Sequence, residues 1–91
     1  METIKEIKKG PKYFVTLDVV PCYRDNQFTK GPYTLHNDLD WSTTNAQYLA
    51  NGDLYFELWD EDGYIGFYVI YKQFLHLIKP LSKKEWLKLE R

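Results

Sequence analysis

Asp53 to Lys72, DLYFELWDEDGYIGFYVIYK, is the stretch whose reading decides the fold. Leu54, Phe56 and Leu58 alternate with Tyr55, Glu57 and Trp59, then Asp60, Glu61, Asp62 and Gly63 interrupt, and β-branched and aromatic residues resume at Tyr64. Period-two alternation on both sides of turn chemistry predicts a β-hairpin. Gly63 suits the end of a four-residue connection, where the chain needs a positive φ. Counting back from that turn places Trp59 opposite Tyr64, Leu58 opposite Ile65, Phe56 opposite Phe67 and Leu54 opposite Val69. The last three pairs form one apolar side, read as core. The other side carries Trp59 with Tyr64, Glu57 with Gly66, Tyr55 with Tyr68, and Ile70 beyond them.

A solvent-facing side of an antiparallel sheet normally presents polar residues. Four aromatic side chains there require a cover, supplied either by the chain itself or by a partner. Trp86 and Leu89 of a C-terminal helix are the natural internal cover, with Phe14 or Trp41 assisting. A second copy packed face to face would use the same residues.

Elsewhere the signals are shorter. Ile4 and Ile7 stand at helical spacing in the lead-in, and Gly10-Pro11 ends it. Tyr13 to Val20 reads as a strand with Tyr13, Val15, Leu17 and Val19 on its apolar side. Residues 21 to 40 hold three turn signals, and a structureless loop of that length is unusual, so at least one short strand is expected at 27–29 or 33–36. Between Trp41 and Gly52, Thr44 and Gln47 make a capping box that favours a helix, while a strand would make Asn51-Gly52 a hairpin turn. After Lys72 a single turn at Gln73 to Leu75 and a last short strand to Leu81 are expected, with Pro80 at an edge. Ser82 and Glu85 then form a capping box opening the final helix, with Leu81 and Trp86 placed as a hydrophobic staple.

The fold class is therefore α+β: a small antiparallel sheet of three to five strands built on the 53–72 hairpin, with a C-terminal helix, in one domain of 91 residues. The order of elements also fits an SH3-like small β-barrel, a likeness of order alone with no motif residues behind it.

Composition narrows the function. Sixteen aromatic residues give a thin core its burial area, and the single cysteine, Cys22, excludes an internal disulfide. That usage, with no apolar leader-like run, points to a soluble cytoplasmic protein without a membrane partner. The net charge of -1 conceals blocks: +2 over residues 1–12, -2 over 13–52, -5 over 53–63 and +4 over 64–91. An acidic hairpin tip between basic ends suits neither a uniformly basic nucleic-acid binder nor an acidic mimic of one.

No catalytic constellation emerges. His36, Asp38 and Asp40 read as turn residues that bond their own backbone rather than as metal ligands. Cys22 with His36 lacks a third orienting group, and His76 sits between leucines. Adjacent carboxylates in a turn do not face one another across a cleft, and no phosphate-binding glycine loop is present. The expectation is a non-enzymatic, cofactor-free domain that binds another protein through Tyr55, Trp59, Tyr64, Tyr68, Asp60, Glu61 and Asp62, as an inhibitor or adaptor of the kind phages and mobile elements encode. The alternative is a single-stranded nucleic-acid module in which sheet aromatics stack on bases and Lys79, Lys83, Lys84, Lys88 and Arg91 meet phosphate.

Overall fold

The hairpin is present, with seven further strands among the described residues. The computed structural model describes residues 8–89, and of Asp60 only the backbone. The lead-in around Ile4 and Ile7 lies outside the described residues, as does Arg91. In chain order the elements are β1 (Lys8–Lys9), β2 (Tyr13–Thr16), β3 (Val20–Asn26), β4 (Lys30–Leu35), β5 (Asp40–Ser42), β6 (Thr44–Tyr48), β7 (Leu54–Asp60), β8 (Gly63–Ile70), a 3-10 helix (Lys72–Leu77), β9 (Ile78–Leu81) and α1 (Lys83–Lys88). They form a six-stranded sheet in the order β1-β6-β7-β8-β3-β4 and a three-stranded sheet in the order β5-β2-β9, every pair antiparallel. The architecture is thus antiparallel sheet with a short C-terminal helix, as expected. It has more strands than foreseen, divided between two sheets, and neither sheet closes into the alternative barrel.

The hairpin register holds at the tip and fails beyond it. Trp59 stands opposite Tyr64 and Asp60 opposite Gly63, which leaves Glu61 and Asp62 as the turn. Next, Leu58 meets Gly66 rather than Ile65, so Ile65 is the extra residue of a β-bulge. From there Glu57 faces Phe67, Phe56 faces Tyr68, Tyr55 faces Val69 and Leu54 faces Ile70. A slip of one residue exchanges the two sides of β8. Phe67 and Val69, read as core, lie on the outer side; Tyr68 and Ile70, read as outer, are buried.

Gly66 explains why the slip occurs there. Its φ is +154°, and a Cβ would sit 2.5 Å from the Asp25 carbonyl oxygen and 2.7 Å from the Asn26 Cβ. Strand β3 approaches β8 too closely at this point for any side chain.

The core lies between the sheets. Phe14 from β2 meets Phe56 edge-on with ring centroids 5.5 Å apart, and Phe56 stacks on Tyr68 at 5.4 Å. Val20, Cys22, Leu35, Leu54, Ile70 and Ile78 complete it. The expected sides of β2 are therefore reversed: Phe14 and Thr16 are buried, whereas Leu17 and Val19 follow the strand's end and are exposed. Buried Thr16 is satisfied by the loop after β4, donating to the His36 carbonyl at 2.7 Å and accepting from Leu39 N–H at 3.0 Å. That contact occupies the 36–40 run structurally, and no metal-holding cluster occurs among the described residues.

Other expectations change. Residues 20–35 form a complete hairpin, so the strand expected at 33–36 overlaps β4 while 27–29 belongs to the turn, which Asn26 Oδ1 closes by accepting from the N–H groups of Phe28 and Thr29. The helix favoured for 41–52 is instead β5 and β6: buried Thr43 donates to the Pro11 carbonyl, and Asn45 takes a φ of 55°, which interrupts any regular element. Edge-placed Pro80 in β9 and the Ser82/Glu85 capping box form as read, while the single turn expected at Gln73 to Leu75 is a longer 3-10 helix that takes His76 and Leu77 from the last strand.

Candidate functional site

The side of the six-stranded sheet that faces away from the three-stranded one forms three cross-strand rows. At the tip, Trp59 and Tyr64 pack edge to face with centroids 5.1 Å apart. The next row runs Glu57, Phe67, Asp25 and, at the edge, Lys30. The third runs Lys9, Gln47, Tyr55, Val69, Tyr23 and Pro32. Diagonal contacts join these rows, since Phe67 lies 5.3 Å from Tyr55 and 6.3 Å from Tyr23, both tilted. Such spacings are favourable for offset rings, and they make one aromatic strip across β7, β8 and β3.

Alternation along β7 puts Tyr55, Glu57 and Trp59 on the same side, and the central carboxylate uses that placement. Glu57 accepts from the Tyr55 hydroxyl at 2.5 Å, from Asn45 Nδ2 at 2.8 Å and from Trp59 Nε1 at 3.2 Å. The left-handed backbone of Asn45, at a register shift between β6 and β7, delivers its amide to that carboxylate. The Tyr55 hydroxyl, then Asn45, hold Glu57 below the ordinary carboxylate range, so it stays ionised. Burial first, and then the Glu57 bond, push the Tyr55 phenol well up. Tyr64 rises too, by burial and then by the nearby charges of Glu57 and Asp25.

Of the residues nominated from sequence, Tyr55, Trp59 and Tyr64 come together on this surface, with Trp59 53% and Tyr64 44% exposed. Glu61 and Asp62 occupy the exposed turn beside them. Asp60 is in β7, and its side chain is outside the described set. Tyr68 does not belong to the surface; the bulge at Ile65 turns it into the core against Phe56.

Three residues were missed. Phe67 stands outward opposite Glu57, where Gly66 was expected, and its ring meets that of Tyr55 diagonally. Tyr23 was hidden in a segment whose strand had not been recognised. Phe28, 83% exposed, lines a groove with Asn26, Gln27, Asp62, Gly63, Tyr64 and Ile65 between two neighbouring turns. A glycine inside a strand was the available signal for the first.

The internal cover expected from the C-terminal helix is on the other layer. Trp86 stacks on Tyr13 of β2 with centroids 4.6 Å apart, and α1 packs against β9. Phe14 and Trp41 lie with the core. Cys22 is buried, and desolvation pushes its thiol up to about 11, far from the state a nucleophile needs. Comparison with protein-family models, curated proteins and solved structures gave no match.

Proposed function

We propose that this chain is a non-catalytic domain that binds another protein through the outer side of its six-stranded sheet. One observation carries it: the connected strip Tyr55, Phe67 and Tyr23, continued by Trp59 and Tyr64, lies on the side away from both α1 and the three-stranded sheet. Partly exposed aromatic rings bordered by charge have the composition of binding hot spots. A small cofactor-free binder of this form suits an inhibitor or adaptor of the type mobile elements encode.

The nucleic-acid alternative draws less support. Its lysines at 83, 84 and 88 belong to α1, on the opposite layer from the aromatic strip, while Glu57 and Asp25 stand within the strip and repel phosphate.

Phe67→Ala and Tyr55→Ala test the proposal in an affinity capture from the source cell, each first shown to melt within a few degrees of the parent. A protein retained by the parent chain and lost by both variants is the expected result. Equal retention by both overturns the assignment of this surface. Mass in solution, measured in parallel, identifies a second copy as the occupant if the parent is dimeric and Phe67→Ala is not.

A further inference from the structure

We propose that the occupant of this surface inserts an arginine side chain of a basic protein segment over Phe67, between Glu57 and Asp25; this rests on the protein-binding role above. The geometry is that of a single row. Phe67 of β8 pairs with Glu57 of β7 on one side and with Asp25 of β3 on the other, so an aromatic residue has an acidic residue in register on each neighbouring strand. Neighbouring strands lie roughly 5 Å apart, which puts the two carboxylate-bearing positions about 10 Å from each other. That span accepts a planar guanidinium lying on the ring.

Chemistry favours a cation and, among cations, arginine. Ring faces attract positive charge, and Phe67 is bordered by Tyr55 and Tyr23, with Trp59 and Tyr64 in the next row. Three of the roughly four acceptor positions of Glu57 are taken by Tyr55, Asn45 and Trp59, which fixes its direction and leaves its charge in place. All three donors are neutral, so none cancels that charge. Asp25 faces Lys30 across β3 and β4, the one basic side chain of the row, and Lys30 is exposed at the sheet edge. A guanidinium stacks on a ring and bonds carboxylates in its own plane at once, whereas an ammonium is a more strongly hydrated point charge.

The test titrates the full chain with a capped hexa-arginine peptide, following tryptophan fluorescence and amide shifts, beside hexa-lysine and a 15-mer oligothymidylate. Saturable binding is expected, tighter for hexa-arginine than for hexa-lysine, with the largest shifts at Phe67, Glu57 and Asp25. Asp25→Asn, Glu57→Gln and Phe67→Ala should each weaken it roughly tenfold. Asp18→Asn removes the same unit of charge from the loop after β2, and an amide oxygen there still accepts from Val19 N–H; it should change affinity less than twofold. Equal weakening by Asp25→Asn and Asp18→Asn means attraction by net charge alone and overturns the site. Binding of oligothymidylate but not of the peptide overturns it in favour of nucleic acid. If the peptide fails to bind while Phe67→Ala still loses the captured protein, the surface stands and only the arginine is refuted.

Discussion

Phe67 and Tyr68 are neighbours in the chain with opposite fates, and the pair shows how the two sides of the larger sheet differ. Tyr68, with a hydroxyl to satisfy, is the buried one, stacked on Phe56 and edge-on to Tyr33; Phe67, with none, is on the outside. Hydropathy would assign them the other way. What decides is the backbone: one extra residue at Ile65 inverts everything beyond it in β8, and Tyr68 comes into register with Arg24 of β3 on the inner side.

The sharpest way to break this contrast is to shorten a ring on each side. Phe56→Ala removes a fully buried ring from the centre of the core and should cost about 4 kcal/mol of unfolding free energy, measured by urea denaturation. Phe67→Ala, half-buried on the outer strip, should cost about 1 kcal/mol or less. A reversed order would restore the uninterrupted register and remove the nominated surface.

Gly66→Ala comes next. The new methyl group meets β3 backbone, which cannot swing aside as a flexible side chain would, and the φ of +154° is one that L residues rarely adopt. Roughly 2 to 3 kcal/mol is expected. A melting temperature unchanged by the substitution would mean that the close approach of β3 and β8 does not hold the bulge.

Much of this was legible in the sequence. Both strands of the 53–72 hairpin, the Trp59/Tyr64 pair, the edge position of Pro80 and the Ser82/Glu85 capping box follow from local patterns, because each is decided within a few residues. The sides of β2 and β8 were not, because each depends on a partner distant in sequence. Thr16 is buried because the 36–39 loop satisfies its hydroxyl, and Gly66 is needed because β3 lies against it. Counting alternation past Thr16 also gave weight to Leu17 and Val19, which belong to no strand. The candidate site was recovered in part for the same reason: Tyr55, Trp59 and Tyr64 are fixed by the tip, and Phe67 and Tyr23 by long-range pairing.

A slower probe sharpens the same comparison. Cys22 is on the sealed side, between Ile70 and Tyr33 in register, and its thiol is held protonated by burial. Alkylation by iodoacetamide at about pH 8 should proceed in the folded chain at least a hundredfold more slowly than in urea, limited by opening of the sheet. Labelling at the denatured rate would show that this side is open as well.

The smallest expected effect distinguishes how the two sets of rings are held. Buried rings depend on packing, which acid leaves alone, whereas Tyr55 and Trp59 are tied to a carboxylate. Glu57 titrates below the ordinary 4.5 in the folded chain, so its contribution to stability is complete above that value and is lost as pH falls through the lowered one. Glu85, held down by the Ser82 cap, behaves the same way and is an acid-sensitive background shared by every variant that keeps it. Glu57→Gln should therefore lower the melting temperature slightly at neutral pH and flatten, without abolishing, its decline as pH falls below the ordinary 4.5. Over that fall in pH the ring signals of Tyr55 and Trp59 should shift in the parent chain while those of Phe56 and Tyr68 stay in place. Parallel declines for parent and variant would mean that the carboxylate does not hold the outer rings, and that their arrangement, like that of the inner ones, comes from contact between rings alone.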